Sequence, residues 1–182
     1  MKCLVHSRPD GGVSITHPTP RTFRAITEGG GLLTAYGLTF ERALAVMLAN
    51  GRDERQASRW LKALEYGGLS EADAWDAVRW RCVDPSHTAA EVCDFSEVPA
   101  DRWFRNAWRR SPNGGPVWID LERAKPVQRW RIAGALAEEN ARRQQRLDDP
   151  IGVDFSGLRR ATERAADLEE LRGIWPSQLP VS

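Results

Sequence analysis

The side chains of this 182-residue chain that ordinarily titrate near neutral pH are three histidines, His6, His17 and His87. His6 and His17 flank a turn sequence, so a hairpin would place them opposite each other, with Cys3 on the first arm. Imidazole nitrogens and a thiolate are ligands that zinc prefers, so these three residues are the one metal-binding combination to consider. A plain surface pair of histidines explains the same spacing, and the nearest carboxylate is Asp10. We therefore predict no metal site, no cofactor and no catalytic residue.

Motifs of the common enzyme classes are absent from the sequence. It has no GxSxG serine nucleophile, no HExxH zinc motif and no GxGxxG dinucleotide motif. The three glycines 29–31 lack the GxxxxGK[ST] spacing of a phosphate-binding loop, and they predict a flexible joint instead. We expect a protein that is not an enzyme.

Composition and charge argue against several classes of protein: general polyanion binders, disulfide-rich secreted proteins and membrane proteins. The chain carries 26 basic and 25 acidic side chains, a formal charge of +1, unlike the strong positive excess of general polyanion binders. Three dispersed cysteines without a CxxC pair indicate reduced thiols rather than a disulfide framework. The N-terminus lacks the apolar stretch of a secretory signal, and no window approaches the ~18 apolar residues of a membrane span. We expect a soluble intracellular protein that does not bind membranes.

Arginines and tryptophans alternate in four short runs, at residues 79–81, 102–105, 108–110 and 129–131. Indole and guanidinium groups stack on bases and contact phosphates in single-strand binding, and they also anchor protein interfaces. A third interpretation is that each tryptophan faces the core while the neighbouring arginines reach solvent. As partner-binding residues we select six members of these runs: Arg102, Trp103, Arg105, Trp108, Arg109 and Trp130.

The elements that position these side chains begin with an N-terminal hairpin. Residues 13–17 alternate apolar and polar side chains, as on a half-buried strand, and Asp10-Gly11 suits a tight turn back to residues 2–6. Two more short strands are predicted at 91–95 and 116–119 from their β-branched and aromatic content. We predict the α+β class, with one small antiparallel sheet made of the hairpin and these two strands, and helices packed on one side.

Residues 39–83 have the pattern of three short helices. Thr39, Asp53 and Ser70 precede them, and side chains of these types accept hydrogen bonds from the amides of a first helical turn. Glycine-containing turns at the ends predict where the first two helices stop. The third helix is acidic in its first half, which is unfavourable for a helix that lies in a DNA groove.

The region around residues 101–143 has the longest helical pattern. Asp101 is predicted to open a helical turn that reaches Trp108, and residues 112–115 are predicted to turn the chain. Asp120 then caps a long helix. Pro126 lies inside that helix, where the missing N–H predicts a kink or a later start.

These patterns divide the chain into four segments. They are an N-terminal β-hairpin and linker at 1–38, an inserted helical segment at 39–83, a strand–turn–strand–long helix unit at 84–149, and a C-terminal helical segment with a tail at 150–182.

Four pieces of the sequence carry a resemblance to known proteins: GGVSITHPTP, VPADRWFRNAW, GGPVWIDLERAKPVQRWR and ADLEELRGIWP. In this order they resemble a group of small tailed-phage and prophage proteins of alphaproteobacterial type, which are similar to tail-fibre or tail assembly accessory proteins. Residues 39–83 and the interruption by Pro126 depart from that group. The resemblance implies a protein of the host cytoplasm, or one associated with the virion, that binds tail or virion proteins.

The resemblance and the missing catalytic motifs together lead us to expect a non-enzymatic phage or prophage protein that binds other proteins, as a tail or virion assembly accessory factor. A phage-encoded inhibitor of a bacterial defence complex is the first alternative, with residues 39–83 as its binding surface. A nucleic-acid-binding protein is the second. The sequence leaves the identity of the partner and the oligomeric state open.

Overall fold

The computed structural model describes residues 2–180 and confirms the α+β class. The chain forms two compact units. Unit 1 contains Met1–Glu97 and Ser111–Gly115, and unit 2 contains Val98–Arg110 and Pro116–Ser182. None of the helices within the described residues combines the length and the apolar composition that crossing a membrane requires.

In chain order, the helices and strands are β1 (Lys2–Ser7), β2 (Val13–Thr16), α1 (Pro20–Glu28), α2 (Leu32–Ala35), α3 (Phe40–Ala49), α4 (Glu54–Tyr66), α5 (Glu71–Cys82), β3 (Thr88–Asp94), β4 (Trp108–Ser111), β5 (Gly114–Ile119), α6 (Leu121–Gln145), α7 (Phe155–Arg164) and α8 (Leu168–Gly173). Short 3₁₀ turns lie at Phe95–Glu97 and Arg105–Ala107.

The N-terminal hairpin forms as predicted. β1 and β2 pair antiparallel, with Leu4 opposite Thr16 and Ser7 opposite Val13. The turn is held by Asp10, whose carboxylate accepts from the Gly12 amide at 2.8 Å. β3 pairs antiparallel with the other edge of β1, so the predicted strand near 91–95 joins the hairpin in a three-stranded sheet.

The predicted strand at 116–119 also forms, as part of β5, but it lies in a second sheet. Its partner is β4, which joins it through the turn at residues 112–113. The expected helical turn from Asp101 to Trp108 is reduced to the 3₁₀ turn Arg105–Ala107, and Trp108 begins β4. A short turn makes the neighbouring segment the nearest strand partner, and this local pairing replaces the distant one that we predicted.

Unit 1 has its core between the sheet and helices α1–α5. Leu4 of β1 packs with Ile26 of α1, with Trp60 of α4 and with Trp75 and Val78 of α5. The segment predicted as a helical insertion therefore supplies most of the apolar side chains that cover the sheet.

The three helices of residues 39–83 begin where their caps predict. The side chains of Thr39, Asp53 and Ser70 accept hydrogen bonds from the amides three residues further on, at 3.3, 2.8 and 3.1 Å. Local capping thus sets the start of each helix, whereas packing against β1 sets where the helices lie.

Glycines 29–31, predicted as a flexible joint, take part in a close crossing of two helix ends instead. The Gly31 amide donates to the Glu65 carbonyl at 3.0 Å, and the Gly68 amide donates to the Thr27 carbonyl at 2.9 Å. A Cβ atom on Gly67 would overlap the backbone nitrogen of Gly29. Glycine at these positions lets the two backbones approach each other.

Unit 2 is organised on α6. Ala124 of α6 packs with Phe104 and Ala107 of the 98–110 segment and with Ala165 and Leu171 near α7 and α8. α6 begins at Leu121, directly after its cap Asp120, so Pro126 does not delay the start of the helix. The Pro126 ring removes one backbone hydrogen bond early in a helix of 25 residues, and the remaining turns continue through it.

Candidate functional site

Two of the six residues predicted for partner binding belong to the interior of unit 2. Trp108 is 1% exposed, and its indole N–H donates to the Asp101 carbonyl at 3.2 Å. Arg109 is 8% exposed, and its guanidinium donates to the Trp108 carbonyl at 2.7 Å. They are buried because the chain at Trp108 enters a strand instead of ending an exposed helical turn.

Trp103 is half-buried and tightly held. Its indole N–H donates to Gln128 Oε1 at 2.6 Å, and its backbone carbonyl accepts from Arg131 Nε at 3.0 Å. The Arg131 guanidinium also lies 4.4 Å from the centre of the ring, and Trp175 packs edge-on at 5.7 Å. Because Gln128, Arg131 and Trp175 all contact the Trp103 ring, we infer that this ring mainly stabilises the surrounding structure.

Arg102 and Arg105, also predicted for partner binding, are exposed. The Arg102 guanidinium lies 4.8 Å from the centre of the Trp108 ring.

Gln128 was not among the predicted site residues, although it holds the Trp103 region together. It is completely buried, and besides accepting from Trp103 its amide nitrogen donates to the Ile174 carbonyl at 2.9 Å. The sequence contains a signal for it, since Gln128 lies four residues from both Ala124 and Ile132 on the apolar side of α6. A polar side chain in such a row must find partners inside the protein.

Trp130 lies on the opposite side of α6, and 71% of its area is exposed. Arg123 and Gln144 are exposed at the two ends of this side. Between them, the exposed residues at helical spacing are Pro126, Trp130, Gly134, Ala137 and Ala141, which we call the Trp130 face. Apart from Trp130 they are small or compact, so a partner chain could approach the helix backbone closely beside one large aromatic ring.

The charged residues beside the Trp130 face are largely paired. Arg129 lies 2.6 Å from Glu163 of α7, and Glu139 accepts ion pairs from Arg142 and Arg143 at 3.4 Å each. Pairing of this kind reduces the net positive field of the arginines, so the rim is polar without being strongly basic.

A shallow groove of about 550 Å³ continues the Trp130 face at the end of α6. It is lined by Ala137, Ala141 and Leu147 among others, and Leu147 is 94% exposed. Reciprocal hydrogen bonds between the Asn140 side chain and the Ile151 backbone, at 2.7 and 3.2 Å, fix the loop that forms its wall. The combination of an exposed indole, small residues and a partly apolar groove is suited to binding another chain.

Cys3, His6 and His17, the three residues considered for metal binding, contact different neighbours in unit 1. His6 Nδ1 lies 2.8 Å from His87 Nδ1, His17 packs edge-on against Phe95, and Cys3 lies beside Cys93. Within residues 2–180, no group of three or more histidine, cysteine, aspartate or glutamate side chains has an arrangement that could hold a metal ion. The His6–His87 contact joins residues far apart in sequence, and no local pattern points to it.

Comparison of the chain with protein-family models, with curated proteins and with solved structures finds no match.

Proposed function

We propose that this chain is a non-enzymatic phage or prophage protein that binds another protein, as an accessory factor in tail or virion assembly. The phage setting is supported by the resemblance that the four sequence pieces carry. The binding role is supported by one structural observation, the 71% exposed indole of Trp130 on a 25-residue helix.

A tryptophan in this position is favourable for binding because its large ring gains free energy when a partner removes it from water. Tryptophan and arginine dominate the residues whose truncation costs protein complexes about 2 kcal/mol or more. On the Trp130 face, the ring stands beside Gly134 and Ala137, where a partner backbone meets little obstruction. These features favour an amphipathic helix of a tail or virion protein, lying along α6 with apolar side chains on Trp130 and in the groove at Ala141.

The test is to purify the chain with and without candidate tail and virion proteins and to compare Trp130→Ala with the unchanged protein. We expect a tail or virion protein to co-migrate with the unchanged chain, and Trp130→Ala to weaken the complex by about 30-fold, the equivalent of ~2 kcal/mol. The free energy of unfolding of Trp130→Ala should stay within about 0.5 kcal/mol of that of the unchanged protein, because Trp130 is mostly exposed to solvent.

Trp118→Ala is the matched control, since Trp118 is also an exposed indole, at 49%, but lies on β5. It should leave the complex intact. The proposal fails when no tail or virion protein co-migrates. If Trp130→Ala and the unchanged chain bind equally well, the contact surface does not include Trp130 and must lie elsewhere on the protein.

The first alternative, an inhibitor of a bacterial defence complex, is favoured by exposed apolar side chains on α3. Val46 is 57% exposed and Leu48, on the other flank of the helix, is 38% exposed, while no residue of the helix is fully buried. Deleting residues 39–83 would remove the core of unit 1, so a surface substitution is the sharper test. Val46→Glu should abolish inhibition of a defence complex while Trp130→Ala does not, and the reverse result would favour the Trp130 face.

The second alternative, nucleic-acid binding, rests on the arginine-rich runs. It predicts an affinity that falls steeply with salt, because phosphate contacts release counterions. The ion pairs of Arg129, Arg142 and Arg143 with acidic side chains would have to break first, which makes α6 a poor phosphate-binding surface.

A further inference from the structure

Two cysteines of unit 1 lie directly opposite each other in the three-stranded sheet. Cys3 of β1 pairs with Cys93 of β3 in the antiparallel register, and their sulfur atoms are 3.7 Å apart. Opposed residues in antiparallel strands have Cα atoms about 4.5–5.5 Å apart, which lies inside the range of about 4.4–6.8 Å that disulfides span. Because the register already places the two residues opposite each other, rotation of the two side chains is the movement that would bring the sulfurs to bonding distance.

We propose that Cys3 and Cys93 form a reversible disulfide site that is oxidised by low-molecular-weight disulfides of the glutathione class. This inference goes beyond the proposed binding role and does not depend on it. The sequence alone pointed to three dispersed reduced thiols, because nothing local in the chain shows that residues 3 and 93 meet.

The two thiols differ in their access to solvent. Cys3 is completely buried, whereas Cys93 is half-buried and lines an open groove of about 630 Å³ between β3 and α5. Besides Cys93, the groove is lined by two cations, Lys2 and Arg79, and by four carboxylates, those of Glu71, Asp76, Asp94 and Glu97, so the ammonium groups of a peptide disulfide have acidic partners there. Cys93 is therefore the sulfur that meets the oxidant, and Cys3 is the sulfur that completes the reaction.

The reaction is two successive thiol–disulfide exchanges. The Cys93 thiolate attacks one sulfur of the small disulfide, forms a mixed disulfide and releases one small thiolate, which takes up the Cys93 proton. The Cys3 thiolate then attacks Cys93 Sγ, forms the Cys3–Cys93 bond and releases the second small thiolate, which takes up the Cys3 proton. Two protein thiols and one small disulfide thus become one protein disulfide and two small thiols, and the small disulfide is the species reduced.

The bond would close residues 3–93 into one loop that contains β2 and helices α1–α5. A cross-link of this length restricts the unfolded chain far more than the folded one, in which the sulfurs are already adjacent. Oxidation should therefore raise the Tm of the transition that includes unit 1 by about 5 °C or more, and a dithiol reductant should reverse the shift.

The test uses the full chain carrying Cys82→Ser, because Cys82 is exposed and would react separately. The protein is incubated with oxidised glutathione, remaining thiols are alkylated, and the intact mass and peptide map are measured. We expect the loss of two hydrogens, a cross-linked pair of peptides containing Cys3 and Cys93, and the rise in Tm. A persistent glutathione adduct on Cys93, or full alkylation of both cysteines after unfolding, would overturn the proposal.

Cys93→Ser in the same background is the matched variant. It should show neither the cross-link nor any response of Tm to oxidised glutathione, while Cys3 becomes alkylated only after unfolding. A Tm that still rises with oxidant in this variant would assign the effect to something other than the disulfide. The peptide map of the Cys82→Ser protein decides the proposal even when Cys93→Ser does not fold.

Discussion

Single polar side chains join distant segments in both units. Gln128 connects Trp103 with Ile174 inside unit 2 through its amide oxygen and nitrogen. In unit 1, Glu65 near the end of α4 accepts from the backbone amides of Leu33 and Thr34, at 3.0 and 3.2 Å, and from the Thr34 hydroxyl. It thereby satisfies the first amides of α2, a helix that has no side-chain cap of its own.

The Glu65 contacts predict a component of acid stability. The hydrogen bond from the Thr34 hydroxyl, followed by those from the backbone, lowers the pKa of Glu65 below its ordinary value of 4.5. Since the folded-state pKa is below the unfolded one, the stabilisation is fully present above about pH 4.5 and is lost as pH falls through the folded-state pKa. Glu65→Gln should lower the free energy of unfolding at pH 7. Below about pH 4.5, the free energy of unfolding of this variant should fall less steeply with decreasing pH than that of the unchanged protein.

Urea unfolding of Glu65→Gln and of the unchanged protein between pH 3 and pH 7 measures this effect. Thr34→Val is the companion variant, because it removes the largest cause of the pKa shift and should reproduce part of the loss. Parallel pH profiles for Glu65→Gln and the unchanged protein would contradict the prediction.

The C-terminal ends of helices α1 and α4 contact each other closely through two glycines. Gly29 ends α1 and Gly67 ends α4, both with positive φ, at +91° and +71°. The amides that follow α4 donate to carbonyls of the last turn of α1, as seen for Gly68 and Leu69. These bonds satisfy carbonyl groups that every helix leaves free at its end.

Gly67→Ala should destabilise the protein by about 3 kcal/mol or more. The new methyl group would overlap Gly29 N, and an alanine at this φ adds strain of about 1–3 kcal/mol. Gly68→Ala is the control, since Gly68 also has a positive φ, at +91°, but no atom lies within 4 Å of its Cβ position. Chemical denaturation should show a clearly smaller loss for Gly68→Ala, and equal losses would show that the close approach contributes little.

At the scale of the whole molecule, the chain builds two units with separate cores. The tryptophans divide between them: Trp60, Trp75 and Trp80 lie in unit 1, and the other five lie in unit 2. The apolar cluster around Leu4 and Trp75 belongs to the first unit, and the cluster around Phe104 and Leu171 belongs to the second. Each unit therefore has its own source of hydrophobic stabilisation.

Leu171→Ala should open unit 2 selectively. Leu171 is completely buried, so its truncation leaves a cavity and should cost about 2–5 kcal/mol. Hydrogen exchange followed by mass spectrometry should show faster exchange in α6 and α8, with little change in α4 and α5. Leu147→Ala, at a position that is 94% exposed, serves as the control and should leave exchange unchanged. An equal increase in both units would show that they unfold as one.

Features that depend on neighbours within a few residues could be predicted from the order of the residues alone. The turn at Asp10 and the caps Thr39, Asp53, Ser70 and Asp120 each involve hydrogen bonds to residues two or three positions away. Turn and cap geometry is local, so residue types at fixed spacing are enough to predict the hairpin, the helix starts and the α+β class.

Which of the similar side chains are buried, and which distant side chains meet, depends on how the helices and strands pack. Trp108 and Trp130 both lie beside arginines in the sequence, yet one is 1% exposed and the other 71%. The pairing of β4 with β5 and the rotation of α6 about its axis set this difference. In the same way, the register of β1 and β3 brings Cys3 to Cys93. Strand register and helix packing join residues far apart in the chain, and no pattern within a short window carries that information.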